Sequence, residues 1–256
     1  VLHLAALIAI PFSYNSPDAY LQTNVTGTLN ILQSARRHSV EHLVCTSTSE
    51  TYGTAQFVPI SESHPLNAQS PYAATKVASD QMALAFHRSF NMPVSILRPF
   101  NTFGPRQSAR AVIPTVIGQI ASGQKEIKLG SLHPTRDFTF VADTSRGFIQ
   151  IMNTDRCFGE VANIGTGHEI SIGETVELLS DLMGASVTII QDNLRERPAA
   201  SEVERLVACT SRAQELFGWE PEYLGREGLS RALLKTAEWF QDPANLARYK
   251  PSAYNL

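Results

Sequence analysis

The sequence is poor in cysteine, lacks any long apolar run and carries no surplus of positive charge. Three cysteines, Cys45, Cys157 and Cys209, lie far apart in 256 residues. No CxxC pair and no Cys/His spacing of a zinc site is present, and an odd, sparse set favours reduced thiols and a cytosolic setting. The longest apolar stretch, Leu4 to Phe12, stops at a polar Ser13-Tyr-Asn-Ser16 turn. It is well short of the roughly 20 residues that span a bilayer, and no positive flank marks it as a signal peptide. Lys and Arg total 21 against 24 Asp and Glu, a net charge of −3. This balance argues against a general nucleic-acid binder, yet two or three placed Arg residues still suffice for a small anion. There is no internal repeat, low-complexity tract or charge run. The chain opens at Val1 without Met, inside an apolar stretch, and so reads as a fragment lacking its N-terminal portion.

What is present is a globular composition. Hydrophobic residues make up 43% and charged residues 18%, enough apolar material for a sizeable core. The length fits one large domain or two interleaved ones. Strand-like runs alternate with helical patterns, which predicts an α/β fold around a mostly parallel, doubly wound sheet. Strands are predicted at Val1 to Ala6, His42 to Thr48, Pro93 to Arg98, Glu126 to Leu129, Arg136 to Val141, Val161 to Ile164 and Val187 to Ile190. Helices are predicted from a Ser16 cap to His38, from Pro71 to Phe90, and near Ala111 to Ser122. Another opens on the capping box Ser171/Glu174 and ends at Gly184. Two more run from Thr210 to Phe217 and from Gly228 to Gln241, and the tail after Pro243 is read as irregular. Ala74, Ala78, Met82, Phe86 and Phe90 form the apolar stripe of the second helix. His3 and the two tryptophans, Trp219 and Trp239, are expected as packing residues, the latter pair in a smaller second lobe.

Two local patterns point to chemistry. Tyr72 and Lys76 stand at i and i+4, on one side of the predicted helix. A lysine there favours the phenolate, and a phenolate is a competent base toward an alcohol or sugar hydroxyl. Taken alone, a surface Tyr and Lys is the commoner meaning of YxxxK. The second pattern is Thr46-Ser-Thr-Ser-Glu-Thr-Tyr-Gly53, directly after the apolar Leu43-Val-Cys45. It falls at the carboxyl edge of a parallel strand, where open α/β sheets bind ligands. The plain alternative is a polar turn with a solvated Glu50.

Five motifs then occur in order: Val1-Leu-His-Leu-Ala-Ala6, Asn24-Val-Thr-Gly-Thr28, the turn ending in Tyr52-Gly53, Tyr72-x-x-x-Lys76, and Arg98-Pro-Phe-Asn101 with Gly104-Pro105. Together they resemble the extended short-chain dehydrogenase/reductase superfamily of nucleotide-sugar epimerases and dehydratases. The resemblance implies a Rossmann-like NAD domain over residues 1–104, with a returning segment near 138–165. It also implies a smaller α/β lobe, residues 105–137 and 166–256, that takes the nucleotide sugar. It assigns NAD contacts to Ala5, Asn24, Ser47, Tyr72, Lys76 and Pro99, substrate contacts to Asn101, Arg136 and Arg197, and chemistry to Thr48, Ser49, Glu50, Tyr72 and Lys76. The plain alternatives are a helix-surface amide for Asn24, solvated arginines, and an Arg136 paired with its neighbour Asp137. The superfamily's Gly-rich phosphate loop is absent before the Tyr-Lys helix, so this chain is expected to bind NAD poorly. Ala6 to Tyr14, Thr46 to Glu50, Ala109 to Pro114 and Pro134 to Phe140 are most similar to the dehydratases that open legionaminic acid synthesis. This implies 4,6-dehydration of a nucleotide-linked N-acetylglucosamine by a cytoplasmic homodimer, with Glu50 as base and Ser49 where such enzymes carry an acidic Asp. A C4 epimerase and a non-catalytic scaffolding chain are the alternatives. No metal is expected.

Overall fold

The computed structural model describes residues 1–249. Strand β1 (Leu2–His3) leads into helix α1 (Ile10–Asn15). Helix α2 (Pro17–Tyr20) runs on through a π-helical stretch, Leu21–Thr26, into α3 (Gly27–Arg37). Strand β2 (Leu43–Thr46) ends in a 3₁₀ turn, Ser49–Tyr52, and α4 spans Pro71–Phe90. Then come β3 (Val94–Pro99), β4 (Asn101–Phe103), α5 (Val112–Ala121), β5 (Glu126–Leu129), β6 (Thr135–Phe140) and α6 (Val141–Met152). The chain continues through β7 (Val161–Ile164), β8 (Glu169–Ser171), α7 (Ile172–Leu182), β9 (Thr188–Gln191), α8 (Ser211–Phe217), α9 (Gly225–Gln241) and α10 (Pro243–Leu246).

The main sheet is parallel, in the order β1-β2-β3-β7, with Leu2 opposite Val44, Cys45 opposite Ile96 and Leu97 opposite Ala162. Strands β2, β3 and β7 are buried nearly throughout, as expected of a sheet covered on both faces. On one face Leu32 and Ala35 of α3 and Ala83 and Phe86 of α4 pack on Leu43, Cys45, Val94 and Ile96. On the other, Phe148 and Ile151 of α6, Ala213 of α8 and Trp219 pack on Val44, Leu97 and Ile164. A second core joins Phe103, Phe138 and Phe140 to α5, α7 and α9 through Ile117, Leu179 and Leu233. There β4 pairs with β6 in parallel, β6 with β8 antiparallel, and β5 with β9 in parallel.

The sequence expectations fail at identifiable places. The first strand is two residues, because the chain leaves the sheet after His3. The expected turn at Ser13 to Ser16 is mostly helix, and Ser16, at φ −140° and ψ 60°, makes no side-chain cap. Helix α6 starts directly from β6 with no side-chain cap, which left no start signal to read. The stripe on α4 is only partly its buried face: Phe86 packs on the sheet and Met82 against the same core, Ala74, Ala78 and Phe90 are exposed, and Tyr72, Lys76, Ser79, Asp80 and Ala83 also face inward. Trp219 serves the parallel sheet, and its Nε1 donates to the Asp143 carbonyl at 3.0 Å. Trp239 packs on the second core. Past Pro243 the chain makes the short helix α10, and the rest of the expected tail, 250–256, lies outside the described residues.

Candidate active site

The carboxyl edge of β2 turns sharply. Thr48 is extended, at φ −161°, and its Oγ1 accepts from the Glu50 amide at 3.3 Å, capping the 3₁₀ turn. Ser47, Thr48, Ser49 and Glu50 are all buried. Gly53 closes the turn at φ +64°; a Cβ there would lie 2.2 Å from the Asn67 carbonyl oxygen and 2.6 Å from Gln69 Oε1. Only glycine fits a left-handed backbone with that approach.

Helix α4 opens beside this edge. Ser70 Oγ accepts from the Ala73 amide at 3.1 Å, and Pro71 supplies a preset first turn. Tyr72 and Lys76 then share the buried side. Lys76 Nζ donates to the Thr46 carbonyl at 2.5 Å, leaving two of its three N–H donors for other partners. Burial pulls the Lys76 ammonium below its ordinary range, opposed by Asp80. The phenol of Tyr72 is pushed well up, first by burial; a Thr48 hydrogen bond opposes this and the Glu50 charge adds to it. The expectation that Lys76 lowers the phenol is therefore not met: desolvation dominates, and Lys76 is turned to the strand carbonyl.

Residues around the pair are locked. Asn24 is buried, not a surface amide: its Oδ1 accepts from the Leu7 amide at 2.9 Å, and its Nδ2 donates to the Leu7 carbonyl at 3.0 Å and to Thr75 Oγ1 at 3.1 Å. With both polar atoms of its side chain engaged, Asn24 ties the Leu7 loop to α4. Ser47 Oγ donates to Asp80 Oδ2 at 2.6 Å, which also receives Arg98 Nε and Nη2 at 3.1 and 2.8 Å. Arg98 Nη1 reaches Tyr52 Oη at 2.9 Å, and Tyr52 donates on to Asn163 Oδ1 at 2.8 Å. The sequence reading missed Asp80 and Asn163; Asp80, one turn beyond Lys76 in the helix, was the available signal.

The arginines meet from the other side. Arg136 on β6 is buried, and its Nη2 donates to Glu202 Oε1 at 3.2 Å. Arg197 Nη1 lies 3.4 Å from the same oxygen as an ion pair. Burial depresses the Arg136 guanidinium; Glu50 opposes the shift and Arg197 adds to it, so Glu50, Arg136 and Arg197 share one electrostatic neighbourhood. Asp137 does not pair with Arg136. It accepts from Thr166 N and Oγ1, Gly167 N and Ala208 N. Asn101 Oδ1 is buried without a hydrogen-bond partner among the described residues, as is Thr46 Oγ1. Such unpartnered buried atoms are rare. Pro99 ends β3 opposite Ile164, and Ala5 lies exposed beyond β1. The half-buried His3 bonds Thr28 Oγ1 at 3.1 Å rather than sitting in the core. Lys76 with its spare donors and the orphan Thr46 hydroxyl fit the nicotinamide-ribose end of NAD. Among the described residues no cluster of His, Cys, Asp and Glu is placed to hold a metal, and no helix is long and apolar enough to cross a membrane.

The parallel sheet with Tyr72, Lys76 and a buried Glu50 at its carboxyl edge agrees with the class that the order of motifs resembles. The family model "GDP-mannose 4,6 dehydratase" matches residues 1–232, and the chain belongs to that family of NAD-dependent epimerases and dehydratases. It is 32% identical over 237 residues to a putative UDP-glucose 4-epimerase of Methanocaldococcus jannaschii, covering 91% of this chain and 75% of that protein. It is 33% identical over 243 residues to a dTDP-glucose 4,6-dehydratase of Streptomyces griseus, covering 94% and 71%. A Streptomyces venezuelae dTDP-glucose 4,6-dehydratase solved with NAD superposes with a TM-score of 0.86 at 29% identity, over 98% of this chain and 74% of that one.

Proposed function

We propose that the site carries out NAD-dependent 4,6-dehydration of a nucleotide-activated hexose. The observation that carries this reading is the Glu50 carboxyl, buried in the 3₁₀ turn at the carboxyl edge of β2; its charge raises the Tyr72 phenol and opposes the depression of Arg136. Tyr72, once ionised, takes the proton of the C4 hydroxyl; the charge of Lys76 and of a bound nicotinamide would favour that phenolate against the burial that opposes it. The chemistry NAD supplies when bound is hydride transfer, from C4 and later to C6; Lys76, Thr46 and Ser47 line its nicotinamide end. Beside a C4 ketone the C5 proton becomes acidic, and Glu50 removes it. With Ser49 unable to act as a separate acid, Glu50 also passes that proton to the departing C6 hydroxyl, which leaves as water; when hydride returns to C6, C5 takes up a proton from solvent. Arg136, Arg197 and Asn101 hold the nucleotide diphosphate, for which a guanidinium fork is suited. The motif set supports N-acetylglucosamine as the sugar. Residues 1–104 with the segment near 138–165 serve the cofactor, and 105–137 with 166–256 the substrate, although Ser211–Phe217 packs on the parallel sheet.

An epimerase needs Tyr72 but no chemistry at C5. Glu50→Gln keeps the shape and removes the base. With substrate, this variant is expected to reduce bound NAD yet release no 6-deoxy-4-keto product, and the wild type in deuterated water places solvent deuterium at C5. A C4-epimerised sugar without label, or an unimpaired Glu50→Gln, replaces dehydration by epimerisation. The exposed Ala74, Ala78 and Leu21 support a two-fold helical interface and a homodimer. Sedimentation at micromolar concentration tests it, a monomer being the contrary result.

A further inference from the structure

The turn that follows Arg197 is stitched to the loop before Tyr72, and one side chain makes most of the stitches. Gln69 Oε1 accepts from the Thr54 amide at 2.5 Å. Its Nε2 donates to the Ala200 and Glu202 carbonyls at 3.3 and 2.9 Å. Its own carbonyl accepts from Ser201 Oγ at 2.5 Å. Both ends of the amide are thus engaged, across a sequence separation of 133 residues at Glu202. Thr54 follows directly on the turn that carries Glu50 and Gly53. Glu202 is the carboxylate shared by Arg136 and Arg197. Gly53 leaves the space in which Gln69 Oε1 sits.

The geometry points to Gln69 as a positioning residue that makes the Glu50 turn and the arginine-bearing turn one unit, so that a nucleoside diphosphate on Arg136 and Arg197 presents its sugar to Tyr72 and Glu50. This rests on the nucleotide-sugar reading above. The two halves of the amide differ in role. Toward Thr54 an acceptor is required; toward Ala200 and Glu202, donors. Gln69→Glu preserves size and the acceptor but faces two carbonyls with a carboxylate. Protonation of that carboxyl restores one donor.

The test measures binding of GDP, UDP and dTDP by titration calorimetry, and turnover, for wild type, Gln69→Glu and Gln69→Leu across pH. At about pH 8 both variants are expected to bind the preferred nucleotide about tenfold more weakly than wild type and to turn over at least tenfold more slowly. Toward about pH 5 the Gln69→Glu defect, taken as a ratio to wild type, shrinks, while that of Gln69→Leu stays constant. A purely structural bridge would lower the melting temperature without this pH signature. If Gln69→Leu does not fold, Gln69→Glu with Ser201→Ala, which removes a single stitch, carries the comparison. Wild type that binds a nucleotide, alongside variants within twofold of it or a Gln69→Glu ratio flat with pH, overturns the coupling alone. Wild type that binds none of the three nucleotides overturns the nucleotide-sugar reading and the coupling with it.

Discussion

The two ends of the cleft hold their charges differently. At the sheet edge, Asp80 and Arg98 are 2% and 3% exposed and answer each other directly, with Ser47, Tyr52 and Asn163 taking up the remaining hydrogen bonds. At the other end, two guanidiniums share one oxygen of Glu202, and Arg197 remains 24% exposed. The first end is balanced by its own residues. The second gathers two guanidiniums on that single oxygen of Glu202, with Glu50 as a further charge acting on Arg136. On the function proposed above, alignment falls to the sheet edge and capture of a diphosphate to the arginine side.

The strongest way to break this division is Tyr72→Phe. It removes the hydroxyl and keeps the ring, so turnover is expected to fall roughly 10²–10⁴-fold, with KM for the nucleotide sugar within a few-fold of wild type. Equal losses in both would mean that the sheet edge also captures substrate. Next comes a paired comparison. Arg98→Met strands the Asp80 carboxylate, and loss of one partner of a buried ion pair costs about 3–5 kcal/mol, read as a lower urea midpoint. Arg136→Met leaves Glu202 with Arg197, so its stability cost is nearer 1 kcal/mol, while KM rises at least tenfold. Similar stability losses from the two would erase the contrast.

The smallest effect concerns neutral groups on the sheet side. Burial holds the imidazoles of His3 and His42 below their usual 6.5, for His42 against a Met152 carbonyl hydrogen bond and for His3 with help from Lys76. The unfolded chain takes up these protons near 6.5 and the folded chain only at lower pH. Stability is therefore lost as pH falls through 6.5, flattening once the folded imidazoles protonate. Thermal melts at about pH 7.5 and 5.5 should show a drop of a few degrees that His42→Gln reduces. An unchanged slope in that variant would assign the drop elsewhere.

Local pattern carried much of the fold. The ends of α4 and the exact spans of β5 and β7 followed from caps and apolar runs, and the capping box at Ser171 is present with both its bonds. The candidate residues Thr48, Glu50, Tyr72 and Lys76 were legible because a strand edge and an i, i+4 pair are short-range features. What stayed hidden is long-range. Glu202 and Gln69 carry no local signature; what joins them to the site are partners more than 60 residues away, Arg136 for Glu202 and the Glu202 carbonyl for Gln69. The stripe on α4 misled for a related reason. Apolar periodicity finds the buried face only where burial is apolar, and here the helix turns Tyr72, Lys76 and Asp80 inward.

One consequence follows from the dipeptide Arg136-Asp137 on β6. Successive residues of a strand point to opposite faces, and here the cation looks into the cleft while the anion gathers the amides of Thr166, Gly167 and Ala208. A slip of one residue in the pairing of β6 with β4 or β8 would exchange them, setting a carboxylate before the phosphates and a guanidinium against a nest of N–H donors. Both placements are unfavourable, so this pair of neighbouring opposite charges acts as a registration key for the strand: the arrangement proposed to bind anions is also the alignment the chain can fold into.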